Sequence, residues 1–317
     1  LKSYHKKKTV DCLGMGIVPL DLLFYVNKYP QAGQKIDADN FYMQGGGPVP
    51  NVLIGLSRMG YKTALIAAVG DDLFGKIGIE ELKKEGVDHR LVMVKNKPSA
   101  KGMYSLLATG WIENKTGRRT MVLSRKIFVK PSDIILSKLP LPKIIHLDGR
   151  DMPATMKLAR WGKRVGALVS FDIGSMRNDV SEVFPFVDHL VVAENYAFPF
   201  TKTKNVKKAI KKLATMCPGT IIITEGIKGS TGWNSQEQKF FFQPAFKVKD
   251  IDTTGAGDCY HTGYLYGLLK GYRLAKRMEL GSAAAALKCT KPGARSGIPT
   301  ERELLRFLKS NPQTYNW

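Results

Sequence analysis

Short apolar runs recur along the chain, each followed by turn residues and then by a stretch whose apolar positions fall three and four apart. The runs Thr9 to Gly16, Thr63 to Val69, Lys143 to Leu147, Val165 to Asp172, Val187 to Val192 and Thr220 to Thr224 read as buried strands. Helical spacing is carried by Val52, Leu53, Leu56 and Met59, by the segment from Asp71-Asp72-Leu73-Phe74-Gly75 through Lys84, by Pro153 to Lys163 and by Val206 to Met216. Two more helices, Asp258 to Lys270 and Arg273 to Lys288, precede a last one that Thr300 caps. Strands alternating with helices predict a parallel sheet covered on both faces. Val87 to Leu123 breaks the alternation. Strand-like pieces at Leu91 to Val94, Met103 to Ala108 and Thr120 to Leu123 suggest hairpins that join Lys35 to Met43 in a small separate sheet. One domain over residues 1–317 is expected, with that sheet built from segments 18–45 and 100–125.

Composition narrows the picture. Apolar content is 44%, and no apolar run approaches the roughly 18 residues of a membrane helix. The basic start, Leu1 to Lys8, lacks the apolar core of a secretion signal. Cys12, Cys217, Cys259 and Cys289 are too scattered for a disulfide or zinc framework, which points to reduced thiols in a cytoplasmic protein. The net charge of +22 is spread over most surface segments, as in Lys202 to Lys212, rather than interleaved with aromatic residues. That distribution predicts an anionic small-molecule partner and no nucleic acid.

Candidate chemistry concentrates at loops. Asp252-Thr253-Thr254-Gly255-Ala256-Gly257-Asp258 stands directly before an apolar helix. Glycines there leave backbone N–H groups uncovered at the positive end of the helix, a ready anion site, with the Asp258 carboxylate beside it. Gly45-Gly46-Gly47-Pro48-Val49-Pro50-Asn51 allows close backbone approach to a ligand or makes a structural turn. Asp21, in an apolar context, is either a loop acid or an acceptor for substrate hydroxyls. Asp148-Gly149-Arg150, Asp172, Glu194 and Thr224-Glu225-Gly226 all fall at carboxyl ends of predicted strands, where open α/β sheets bind ligands. Arg150 is expected either to contact an anion or hydroxyl or to pair with Asp151. His261, three residues after Asp258, reads as a packed helix histidine because no second metal ligand is spaced to join it.

With D-T-x-G-A-G-D before a helix, the chain resembles the ribokinase (PfkB) family of carbohydrate kinases. Asp21, the glycine run with Asn51, Val69 to Gly75, and Thr224-x-Gly226-x-x-Gly229 recur in the family's order, from roughly Thr9 to Leu308. The resemblance implies a three-layer α/β/α sandwich, with a mostly parallel central sheet and a β-sheet lid over the sugar. It implies ATP and Mg2+ as cofactors, Asp258 as general base, and Gly255, Ala256 and Gly257 as the anion hole. Asp21, Gly46, Gly47, Asn51 and Arg150 would contact the sugar, and Glu194, Thr224, Gly226 and Gly229 the nucleotide. Asp252 and Thr254, with carbonyls near Cys289, Pro292 and Gly293, match a region that in many relatives holds K+. A lid that projects from the domain would also offer a surface for pairing with the lid of a second copy, a homodimer.

The chain departs from the pattern in three places. The family's N-x-x-E is missing near Glu194-Asn195, Pro48 replaces a lysine found in ribokinases, and Gly297 stands where ribokinases often have serine. Gln243 to Val248 and Ala286 to Gly293 look most like the ketohexokinase and sulfofructose kinase branch. The expected activity is therefore ATP-dependent phosphorylation of a sugar, a ketose or sugar derivative. Nucleoside phosphorylation and sugar sensing with weak catalysis stay open as alternatives.

Overall fold

The computed structural model describes residues 9–95, 104–175 and 179–313. Its strands, numbered in chain order, divide between two sheets. The larger takes β1 (Thr9–Met15), β4 (Thr63–Gly70), β5 (Val92–Lys95), β8 (Leu141–Leu147), β9 (Leu168–Ile173), β10 (His189–Ala193), β11 (Thr220–Thr224), β12 (Ser230–Asn234) and β13 (Lys239–Gln243). Their spatial order is β13-β12-β11-β10-β9-β8-β1-β4-β5, parallel except for the β11-β12 and β12-β13 pairings. The smaller sheet is ordered β3-β2-β6-β7, from β2 (Leu20–Val26), β3 (Asn40–Gly45), β6 (Leu107–Glu113) and β7 (Arg119–Ser124).

Both faces of the large sheet are buried, which is why its strands read as continuous apolar runs rather than alternating ones. In β11, Ile221 and Ile223 enter one apolar cluster and Ile222 the other. The first cluster lies under α3 (Met152–Val165), α4 (Glu194–Thr201) and α5 (Val206–Ala214), through residues such as Leu158, Ala197 and Leu213. The second lies under α1 (Pro48–Arg58), α6 (Ala256–Leu269), α7 (Leu274–Cys289) and α8 (Glu301–Ser310). Its remaining helix is α2 (Leu73–Lys84), anchored by Leu82. The result is a three-layer α/β/α sandwich. From Cys259 to Gly267 every residue of α6 is buried, so the middle of this helix has no solvent face. Among the described residues no helix is long and apolar enough to cross a membrane.

Two expectations about the irregular region need correction. The Leu91 to Val94 piece does not join the small sheet; as β5 it pairs in parallel with β4 at the edge of the large one. A run this short carries no information about which sheet edge it will find. The strand expected from Lys35 starts only at Asn40, and β2, not a hairpin arm, is the centre of the small sheet, antiparallel to β3 and parallel to β6. Met103 and the start of the 100–125 segment lie outside the described residues. In the large sheet, β1 is flanked by β8 and β4. Chain excursions leave it in opposite directions there, opening the crevice where such sheets bind ligands.

Candidate active site

The glycine-rich turn ends at Gly255, the N-cap of α6, whose φ of 79° is left-handed. That conformation favours glycine, and a Cβ there would also stand 3.0 Å from the Ala294 carbonyl oxygen. No atom would crowd a Cβ on Gly257, so open space faces the first turn of α6. The helix thus starts at Ala256, two residues earlier than its apolar run suggests, and Asp258 sits in its first turn.

A line of buried polar groups leads to Asp258. Asn51, 2% exposed in α1, donates from Nδ2 to Asp258 Oδ2 at 2.6 Å. Arg295, 6% exposed, donates from Nε to Asn51 Oδ1 at 3.0 Å, to the Gly46 carbonyl at 2.9 Å, and to the Glu81 carboxylate in an ion pair. Glu81 also accepts the Gly45 amide at 2.7 Å. The guanidinium is thereby satisfied on several sides, the condition under which a buried charge is tolerated. It also fixes the amide of Asn51, whose oxygen must face Arg295 and whose nitrogen must face Asp258.

Asp21 stands on β2 against the same turn, 8% exposed, and receives no hydrogen bond from the described residues. Burial pushes its carboxyl up to about 7; the Arg295 charge pulls it down and the Asp258 charge raises it again. A Cβ on Gly46 would fall 2.2 Å from Asp21 Oδ2, so the glycine is needed for Asp21 to lie there. Gly47 caps α1 with φ 96°. The triple glycine therefore admits the protein's own side chains, Asp21 and Arg295, to its backbone.

Asp258 itself is held above the ordinary carboxylate range, first by burial and next by the charge of Asp172. The hydrogen bond from Asn51, then His261 and Arg119, act in the opposite direction. His261 is not simply packed. Its Nε2 lies 3.2 Å from Asp172 Oδ1, and its ring is 5.2 Å from that of buried His146. His146, Asp172 and His261 come from β8, β9 and α6, so their meeting has no local spacing in the chain. This corrects the expectation that His261 has no acidic or second histidine neighbour.

Arg150 follows β8, with its backbone N–H donating to Asp148 Oδ1 at 3.0 Å and its Nε buried without a partner. The pairing with Asp151 is not formed. Asp151 instead takes Arg125 at 2.5 Å.

On the other side of the turn, Glu194 opens α4 and lies 3.8 Å from Lys228. Glu225 is raised by burial, lowered by Lys228 and raised again by Glu194. Glu225 and the neighbouring Glu194 together form a donor set suited to a divalent cation. Thr224 ends β11, and Gly226 and Gly229, both at positive φ, bound the single helical turn Gly226–Lys228. Ile227 at its tip is 97% exposed.

Asp252 closes the back of the turn. Its Oδ1 accepts the Thr254 amide at 2.8 Å, and its Oδ2 accepts the Gly293 amide at 2.7 Å and the Tyr25 hydroxyl at 3.1 Å. Burial would raise this carboxyl, but the donations from Thr254 and Gly293 and the Lys288 charge leave it below its usual range.

A carboxylate at an open, glycine-started helix N-terminus, at the switch point of a mostly parallel sheet, is geometry compatible with phosphoryl transfer to a hydroxyl. The family model for pfkB family carbohydrate kinases matches residues 9–301. The chain belongs to this family. Membership makes it a phosphotransferase with a sugar hydroxyl as acceptor, using ATP and a divalent metal. A ribokinase of Haemophilus influenzae is 26% identical, covering 96% of this chain and 99% of its own. A 5-dehydro-2-deoxygluconokinase of Clostridium perfringens is 23% identical, covering 99% of this chain and 97% of its own. The ribokinase structure of Thermotoga maritima superposes with a TM-score of 0.83 over 95% of this PfkB chain and 99% of its own, at 24% identity. At that identity it speaks for the ribokinase-like fold.

Proposed function

We propose that this PfkB kinase transfers the γ-phosphate of ATP to a primary hydroxyl of a ketose or related sugar derivative, with Asp258 as general base. The observation that carries the reading is the Asn51 to Asp258 hydrogen bond of 2.6 Å, itself anchored by Arg295. It fixes the carboxylate beside the uncovered N–H groups of Gly255, Ala256 and Gly257. Phosphoryl transfer asks mainly for positioning and for stabilisation of charge on the transferring oxygens. A carboxyl raised by burial is also a better proton acceptor near neutral pH than an exposed one. Asp21, Gly46 and Asn51 face the acceptor, with Gly47 setting the start of α1. Thr224, Gly226 and Gly229 carry the nucleotide, and Glu194 with Glu225 would hold Mg2+, which neutralises phosphate charge when bound.

The preference for a sugar derivative draws on Arg150, whose Nε is buried and unpartnered, and on Arg119 of the small sheet, close enough to act on both Asp21 and Asp258. Both suit an anionic substituent, and the Clostridium perfringens relative is named for a modified sugar. Asp258→Asn should lower turnover by about 10² to 10⁴ while leaving ATP binding intact. Near-normal turnover in that variant would remove the base assignment. A panel of ketoses, aldoses, sugar acids and nucleosides, scored by ADP release, identifies the acceptor, and a preference for nucleosides would overturn the sugar.

The small sheet is read as a lid and as a dimer surface. Its face away from Asp21 carries Phe41, Met43, Trp111 and Val122, each at least 40% exposed and on rows shared with Leu22 and Phe24. An apolar sheet face of this kind fits a second copy of itself. Trp111→Glu should convert a dimer to a monomer in sedimentation; a wild-type monomer at high concentration would dismiss the idea.

A further inference from the structure

The family resemblance places a monovalent cation beside Asp252 and Thr254, but most of the oxygens there already have protein partners. Lys288, in the last turn of α7, is fully buried, and its ammonium donates to the Asp252 carbonyl at 2.7 Å and to the Lys291 carbonyl at 3.0 Å. The Cys289 carbonyl accepts the amides of Ile251 and Asp252 at 2.7 and 3.2 Å. The Pro292 carbonyl accepts the Ser296 hydroxyl. Both carboxylate oxygens of Asp252 are taken by Thr254, Gly293 and Tyr25. A potassium ion needs several oxygens turned toward one point, and these oxygens are turned toward protein donors instead. The residues do not fit the ion.

Gly297 packs directly against Lys288. A Cβ at this position would stand 2.6 Å from the Lys288 carbonyl oxygen and 3.0 Å from its Cδ. Most of that crowding comes from the backbone of residue 288, whose Cα is 2.8 Å away, so position 297 needs glycine whatever side chain 288 carries, and the lysine stem runs past it as well.

We propose that Lys288 is a built-in cation that takes the place of potassium and holds the Asp252 to Thr254 segment, and with it the anion-binding turn, without a bound monovalent ion. An ammonium is a compact point charge with three donors, able to replace an ion among carbonyl groups if its desolvation is offset. Here the offset comes from the carbonyls of Asp252 and Lys291 and from the nearby Asp252 carboxylate. Burial lowers the proton affinity of Lys288 and the Asp252 charge opposes that lowering. The inference rests on the kinase reading only for what the turn binds.

Its test needs no turnover. Thermal unfolding of the wild-type protein is followed in KCl, LiCl and choline chloride at equal ionic strength. The expected result is one midpoint in all three salts. Lys288→Met should melt lower and regain part of the loss in KCl but not in choline chloride, because the removed charge reopens a place for the ion. A potassium-specific rise in the wild-type midpoint would overturn the proposal, as would a Lys288→Met variant that melts like wild type in every salt. If that variant does not fold, the wild-type salt series still decides. Absence of turnover with every acceptor would end the kinase reading and leave this result standing.

Discussion

The two sides of the Asp258 turn are built on different principles. Toward the acceptor, Glu81, Arg295, Asn51 and Asp258 are buried or partly buried and wired together by hydrogen bonds, with Asp21 buried beside them. Toward the nucleotide, the Thr224 to Gly229 loop holds a 97% exposed Ile227 and a loose 3.8 Å contact between Lys228 and Glu194. A buried polar network is costly unless every member is paired, but once paired it holds one geometry. An exposed loop costs little and adapts. On the proposed assignment, the acceptor side is built to select among similar hydroxyl compounds and the nucleotide side to take a ligand that such kinases share.

The contrast is most severely tested at Arg295. Arg295→Met leaves Glu81 without its partner and frees the Asn51 amide, and should cost roughly 3 to 5 kcal/mol of stability, as breaking a buried pair does. Urea unfolding measures it, and a loss no larger than that of a surface substitution would mean the network is not what holds this side. A smaller, pH-dependent effect is expected at Asp21. Its carboxyl is raised from the ordinary 3.8 to about 7. Between these two values the folded state holds a proton that the unfolded state has released, so stability falls as pH rises through this window. Asp21→Asn removes the penalty. The midpoint difference between variant and wild type should grow from about pH 4 to about pH 7 and then level off, and a difference that stays constant would show that the Asp21 carboxyl is not raised by burial. The smallest effect belongs to the nucleotide loop, where Ile227→Ala should change stability by no more than about 0.5 kcal/mol. A large loss there would mean that the loop is as tightly built as its counterpart.

Much of this architecture was legible in the chain. The large sheet is apolar on both faces, so its strands stood out, and the Gly255 to Asp258 turn announced itself through residues that only a helix start and an anion would want together. What stayed hidden is what depends on distant partners. Arg295 lies 244 residues from Asn51, and a lone arginine in a Gly- and Ser-containing loop looks like a solvated surface charge. Lys288, at the end of a small-residue helix, reads the same way until the fold buries it. His146 is an unremarkable strand residue, and Asp172 only a strand-end acid with no visible partner, until the sheet order sets β8 beside β9 and α6 covers both. The β5 misassignment has the same origin, since strand pairing is a property of the fold and not of four residues.

The helix that carries Asp258 has one more consequence. With Cys259 to Gly267 buried on every side, the amides of α6 can exchange with solvent only when neighbouring helices and the sheet let go together. The proposed base, Asp258, thus sits at the start of the part of the molecule expected to loosen last. Warming or dilute denaturant would first disturb the exposed nucleotide loop and the small sheet, and ligand affinity would fade while the base and its anion-binding turn remain assembled. Such a protein would lose its grip on substrates gradually and its chemistry all at once.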